Sequence, residues 1–306
     1  MTRRELAKAI TLIESTRPED EAAAERALRD ALPASGTAWR VAVSGVPGVG
    51  KSTFIEALGW LVAERGLKVA VLAIDPSSPV SGGSILGDKT RMEKLATHPN
   101  AFIRPTPAGG ALGGVARKTR EAVLLCEAAG YQLVLIETVG VGQSEVDVAS
   151  LSDLFLLLML PGAGDSLQGI KRGIMELADM IAVNKADGPM KPLADQARRE
   201  LESALALMPA GHETPVHVCS ALDGTGILEI WQAITERLTD EAQTGQTADR
   251  RQRQIREWLR RVVEERVLGT YWAQPGALQA VVAATEDVAA GRITPYDAVK
   301  RMLSKA

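Results

Sequence analysis

The sequence predicts a three-layer α/β fold, a mainly parallel sheet covered by helices on both faces, on three observations. Short runs of Val, Ile and Leu recur between residues 40 and 219. They are apolar throughout rather than alternating, which suits strands buried on both faces. Segments with helical spacing separate them, and strands alternating with helices build a doubly wound sheet. The first run leads through a glycine-rich turn, Gly45-Val-Pro-Gly-Val-Gly-Lys-Ser52, into a helical segment.

Taken in order, residues 4–32 read as one or two helices. Leu6, Ile10 and Ile13 keep helical spacing, and Pro18 after Arg17 marks a break between them. Pro33-Ala-Ser-Gly36 is a turn, after which the main domain begins. Strands are expected at Arg40–Ser44, Lys68–Ile74, Leu133–Ile136, Leu154–Leu160, Met180–Val183 and Val216–Cys219, and a helix over Lys51–Arg65 is stopped by Gly66. Asp75 to Gly114, rich in Gly, Ser and Pro, reads as a long irregular insert of the kind that carries function. Residues 241–249 read as a polar linker and 250–270 as a helix with Ile255, Leu259, Val262 and Val263 on one face. Glutamates interspersed among its arginines make this a solvated amphipathic helix rather than a basic patch. Two short helices are expected at 276–290 and 295–305. The organisation is thus an N-terminal helical extension (1–37), a nucleotide domain (38–240) and a C-terminal helical region (241–306) whose apolar faces need a partner.

The bulk composition excludes several classes. The 306 residues are 46% hydrophobic and 24% charged, as in soluble globular proteins. A net charge of −3 and 4% aromatics argue against a nucleic-acid surface. Cys126 and Cys219 form no CxxC pair and read as buried thiols in a reducing compartment. The three histidines show no metal-ligand spacing. Met1 to Arg40 lacks a leader's apolar core, and the longest apolar run, Leu154–Leu160, is too short to span a bilayer. A cytoplasmic protein without membrane contact is the expectation.

The turn at 45–52 fits G-x-x-x-x-G-K-[ST] at every fixed position. Such a P-loop places backbone N–H groups of Gly45, Val46, Pro47 (which lacks one), Gly48, Val49, Gly50, Lys51, Ser52 and Thr53 at or beside a phosphate chain, against the positive end of a helix. Lys51 reaches the β- and γ-phosphates, and the Ser52 hydroxyl binds Mg²⁺. Asn184-Lys185-Ala186-Asp187 follows a strand. The Asp187 carboxylate can accept hydrogen bonds from the guanine N1–H and 2-amino groups, donors that adenine lacks there. Ser220-Ala221-Leu222 occupies the position of a loop that backs the base. A P-loop fold that binds GTP and GDP and hydrolyses GTP follows.

Three carboxylates are candidate Mg²⁺ ligands. Glu137 opens Glu137-Thr-Val-Gly140, where GTPases carry Asp-x-x-Gly, and Gly140 can offer its N–H to the γ-phosphate. Lys51, Glu137 and Gly140 are therefore the expected catalytic set. Asp75 ends a strand in a turn-forming Asp-Pro-Ser-Ser string, so it is either a metal ligand or a turn residue; Asp88 is either a ligand or a solvated loop charge. Gln143 stands further from its strand than a water-orienting glutamine usually does. No in-cis arginine finger can be picked out from the sequence, so slow turnover completed by a partner is expected.

Longer strings carry a resemblance. Val43–Thr53, Ala73–Ser78, Gly82–Met92, Glu137–Glu145 and Leu160–Lys171 resemble the MeaB/ArgK-type GTPases, the bacterial counterparts of the human methylmalonic aciduria type A protein. The likeness is close over about residues 38–235 and looser at the ends. It implies a chaperone of adenosylcobalamin-dependent acyl-CoA mutases that gates delivery of cofactor from an adenosyltransferase and removal of damaged cofactor, with GTP hydrolysis timing the exchange. Cobalamin is then handled by the partner rather than bound here. The resemblance also implies a homodimer formed through the C-terminal helices. It places Asp75, Asp88 and Glu137 in the Mg²⁺ and switch regions, and Asp165, Gln168 and Lys171 in a further switch loop coupled to the mutase; from the residues alone, that loop reads as a polar helix start. The client is open between methylmalonyl-CoA mutase and an isobutyryl- or 2-hydroxyisobutyryl-CoA mutase. A small-molecule kinase is the alternative from another class, opposed by the guanine signature. A nickel- or zinc-inserting GTPase would carry Cys or His clusters, and a signal-recognition GTPase a methionine-rich domain; this chain has neither.

Overall fold

The computed structural model describes residues 1–75, 92–107, 114–138, 143–162, 172–207 and 214–304. They form two units, Met1–Arg251 and Gln252–Ala306.

The first unit is built on seven strands: β1 (Trp39–Gly45), β2 (Val69–Asp75), β3 (Ala101–Pro107), β4 (Leu133–Glu137), β5 (Leu154–Met159), β6 (Met180–Val183) and β7 (Val216–Val218). Their order is β3-β2-β4-β1-β5-β6-β7, and every pairing is parallel. The uninterrupted apolar runs are explained by burial on both faces. Ala42, Val134, Ile136, Phe155 and Leu157 share one core with Leu6, Ile10 and Ile13 of α1 (Arg3–Glu14) and with α5 (Gly114–Ala128). Val41, Val43, Leu133, Leu135 and Leu156 face the other way, against α3 (Lys51–Glu64) and α9 (Ile227–Gln243). The remaining helices of the described residues in this unit are α2 (Pro18–Ala31), α4 (Glu93–Thr97), α6 (Gln143–Ala149), α7 (Arg172–Met175) and α8 (Lys191–Leu205), followed by the start of α10 (Gln246–Trp272).

The N-terminal helices form where the sequence signals them. Thr2 and Glu5 make a reciprocal capping box at the start of α1, and Pro18 occupies the first turn of α2. Each fully buried Leu6, Ile10 or Ile13 contributes about 2 kcal/mol.

Two expectations need correction. The insert from Asp75 to Gly114 is not irregular throughout, since it contains α4 and the seven-residue strand β3. Pro105 and Pro107 masked that strand. β3 lies at the edge of the sheet, bonded only to β2, where a missing N–H leaves no ladder bond unmade. Residues 241–249 are helical except at Thr244-Gly245, where Gly245 takes φ +83°. The buried Glu241 keeps this stretch folded, pairing with Arg237 at 2.9 Å and Arg250 at 2.6 Å.

Charged groups also secure the amino ends of the strands. Arg40 Nε lies 2.8 Å from Glu127 Oε1 in a buried pair. Arg251 donates to both oxygens of the buried Asp153, at 2.8 and 2.6 Å, and to Ala38 O at 2.6 Å. The second unit contains most of α10, α11 (Ala277–Ala289) and α12 (Pro295–Leu303), the last with a Thr294–Asp297 capping box. Among the described residues no helix is long and apolar enough to cross a membrane.

Candidate functional site

Because all strands run parallel, their carboxyl ends lie along one edge, the edge at which open α/β sheets bind ligands. β1 is central and delivers the glycine-rich turn there. The register sets Glu137 of β4 opposite Val43, and Leu158 of β5 opposite Gly45.

Two glycines of the turn admit no side chain. Gly45 has φ +146°, and a Cβ there would lie 2.5 Å from Leu158 O. Gly50, at φ +96°, opens α3, and a Cβ there would come within 2.8 Å of Asn184 Nδ2. The first N–H groups of α3 have no helical acceptor, so the turn and helix start offer an anion site. Lys51 follows at once. Its Nζ donates to Gly45 O at 2.8 Å and to Val46 O at 3.3 Å. Burial pushes this ammonium below its usual pKa, and the charges of Glu137 and Glu145 oppose that push.

Ser52 Oγ donates to Glu137 Oε1 at 2.8 Å, so two residues 85 positions apart meet at the root of the loop. A hydroxyl beside a carboxylate is a hard-oxygen donor set that fits Mg²⁺, which takes one or two protein oxygens and completes its shell with phosphates and water. Asp75 ends β2, its backbone paired with Pro107. Asp88, Gly140, Asp165, Gln168 and Lys171 lie outside the described residues.

The other half of the candidate site assembles from the loops after β6 and β7. Asn184, 1% exposed, donates from Nδ2 to Val49 O at 2.9 Å and accepts at Oδ1 from Ala221 N at 3.0 Å. It thereby braces the phosphate loop against the Ser220–Leu222 loop. Ser220 Oγ donates to Asp187 Oδ1 at 3.1 Å, orienting the carboxylate. Among the described residues Lys185 alone of the non-glycines has positive φ, +62°, a conformation costing about 1–2 kcal/mol. The bond from Ala186 N to Cys219 O, 3.0 Å, secures the neighbouring backbone. A Cβ at Gly50 would be 3.9 Å from Lys185 Cε, so the lysine stem lies over the phosphate loop. Ala221 is buried, whereas Leu222 is exposed and, with Thr53, Trp60 and Lys94, lines an open hollow of about 700 Å³. Burial pushes the Cys219 thiol up to about 12, as expected of an inert core cysteine.

Three site residues escaped sequence reasoning: Ser44, Thr138 and Glu145. All are buried, and they form a hydrogen-bonded chain beneath the phosphate loop. A serine within the apolar run 41–44 was the available signal.

The chain is similar to known proteins over nearly its whole length. The family described as "Methylmalonyl Co-A mutase-associated GTPase MeaB" matches residues 6–276. A probable GTPase of Mycobacterium tuberculosis (strain ATCC 25618 / H37Rv) is 50% identical over 304 residues, covering 98% of this chain and 90% of its own. GTPase ArgK of Escherichia coli (strain K12) is 51% identical over 271 residues, covering 88% and 82%. The mitochondrial methylmalonic aciduria type A homolog of Mus musculus is 42% identical over 311 residues, covering 97% and 75%. Among solved structures, one described as a LAO/AO transport system kinase is similar at TM-score 0.78 and 39% identity, covering 99% of this chain and 92% of that one. HypB from Helicobacter pylori, in complex with nickel, is similar at TM-score 0.51 and 18% identity over 74% and 97%, which shows the shared fold alone.

Proposed function

The chain belongs to the MeaB family of methylmalonyl-CoA mutase-associated GTPases, and from that premise we propose that it is a GTP-hydrolysing chaperone gating adenosylcobalamin loading and repair of a cobalamin-dependent acyl-CoA mutase. The observation that carries the reading is the family match over residues 6–276, supported by 42% identity to a methylmalonic aciduria type A homolog. Methylmalonyl-CoA mutase is the first client to test; an isobutyryl- or 2-hydroxyisobutyryl-CoA mutase is the next. An adenosyltransferase is the proposed cofactor source, and cobalamin stays with the partners.

In the proposed cycle Asp187, aimed by Ser220, reads the guanine edge. The turn Gly45–Thr53 wraps the phosphates. Lys51 exchanges its two carbonyl partners for phosphate oxygens, gaining charge-assisted bonds as charge builds in the transition state. Ser52 and Glu137, with Asp75 and Asp88, are proposed to hold Mg²⁺, which when bound neutralises charge between the β- and γ-phosphates. Gly140 is proposed to contact the γ-phosphate, and Asp165, Gln168 and Lys171 to couple the site to the mutase. The kinase alternative is disfavoured by Asp187, which accepts from Ser220 Oγ, beside Asn184, which accepts from Ala221 N, an arrangement that suits guanine rather than adenine.

The test is GTP turnover of the purified protein, alone and with each mutase. Acceleration of about ten-fold or more by one mutase is expected, in the manner of a partner that completes a GTPase site. Turnover indifferent to every mutase would reassign the client.

A further inference from the structure

Ser44 is the last side chain of β1 before the phosphate loop and is fully buried. Its hydroxyl accepts a hydrogen bond from Thr138 Oγ1 at 2.8 Å and donates one to Glu145 Oε1 at 3.5 Å. Thr138 directly follows Glu137, and its N–H donates to Val43 O at 3.1 Å. Glu145 lies on α6 and is 2% exposed. A directional chain thus runs from β4 through the root of the phosphate loop to α6. The link at 3.5 Å is long for a hydrogen bond. The same carboxylate, with Glu137, attracts the Lys51 ammonium against the effect of burial. Packing alone does not call for a glutamate at this depth. Val148, on the same helix, is fully buried and apolar, whereas a buried carboxylate is costly unless bonded.

We propose that Glu145 is a positioning residue for GTP hydrolysis: through the Ser44 hydroxyl it fastens α6 and Thr138 to the root of the phosphate loop, so that Lys51, Ser52 and Glu137 hold one fixed geometry around the γ-phosphate. In this role Glu145 acts through Ser44 rather than on the nucleotide. Residues 139–142, which connect Thr138 to α6, lie outside the described residues. The role requires a hydrogen-bond acceptor at position 145 more than a negative charge, because the tie runs through the Ser44 O–H. Connected buried bonds of this kind act as a unit, so removing either member of the Ser44–Glu145 pair should remove the same effect.

The inference rests on GTP hydrolysis and not on the client. It is therefore read on the full chain without a mutase, and a failed stimulation experiment would leave it standing. Single-turnover hydrolysis and GTP affinity are measured for Ser44→Ala, Glu145→Ala, Glu145→Gln and the double alanine variant. Ser44→Ala and Glu145→Ala should each slow hydrolysis about ten- to a hundred-fold, the scale of a lost alignment, with affinity within about three-fold. The double variant should be no slower than the slower single, and Glu145→Gln should recover to within about three-fold of the original rate. An unchanged rate in Ser44→Ala would overturn the proposal. So would additive losses in the double variant, a Glu145→Gln as slow as Glu145→Ala, or affinity falling in step with rate. If Glu145→Ala does not fold, Ser44→Ala and Glu145→Gln decide on the same criteria.

Discussion

The Asn184 amide uses both of its ends, one on the phosphate loop and one on the loop after β7. The neighbouring Asp187 is the proposed reader of the base. Asp187→Asn presents an amide where guanine offers donors, so GTP affinity should fall about a hundred-fold or more and xanthosine triphosphate should compete. Competition titrations with the two nucleotides check this, and undiminished GTP preference would remove Asp187 from the reader role. These residues were legible in the sequence because their chemistry demands fixed types at fixed spacing: Gly50, Lys51 and Ser52 are adjacent, and Asn184 and Asp187 share one short loop. Ser44, Thr138 and Glu145 were not legible as a group. Ser44 lies 94 positions from Thr138 and 101 from Glu145; the register of β1 against β4 brings Thr138 to it, and α6 carries Glu145 there.

At the scale of elements, apolar periodicity sufficed wherever a strand is buried on both faces, as in β1, β4, β5 and β6. It failed at β3, whose edge position lets Pro105 and Pro107 stand inside a strand. It failed again at 241–249, where a buried ion pair, not an apolar stripe, keeps polar residues helical. The opposite edge of the sheet carries a pH dependence. His217, half-buried on β7, has its pKa lowered, first by burial and then by the charge of Arg198. The folded state therefore resists protonating it. The resulting stability is complete above histidine's ordinary value of about 6.5 and is lost as pH falls through the lowered value. Thermal unfolding of the original protein should shift downward between about pH 7 and pH 5 by more than that of His217→Gln. Parallel curves for the two proteins would show that His217 contributes nothing to the dependence.

Among the described residues, the second unit carries an exposed apolar stripe. Ile255, Leu259, Val263 and Val267 recur every fourth residue of α10 and are 55, 62, 52 and 62% exposed. A monomer seldom leaves such a stripe open. We accordingly expect the chain to sediment as a homodimer and Leu259→Asp, Val263→Asp to sediment as a monomer. A wild-type monomer at micromolar concentration would refute this. The Asn184 brace has a consequence in time as well as in space. It follows Val49 by 135 positions. At ordinary rates of synthesis a growing chain therefore exposes its phosphate loop for roughly ten seconds or more before the brace has been translated. The loop after β7, with Ser220 and Ala221, emerges later still. If Asp187 reads guanine as proposed, a truncated or stalled chain carries the phosphate-loop motif without a guanine site, and selective GTP binding reports that synthesis has passed the last strand of the sheet.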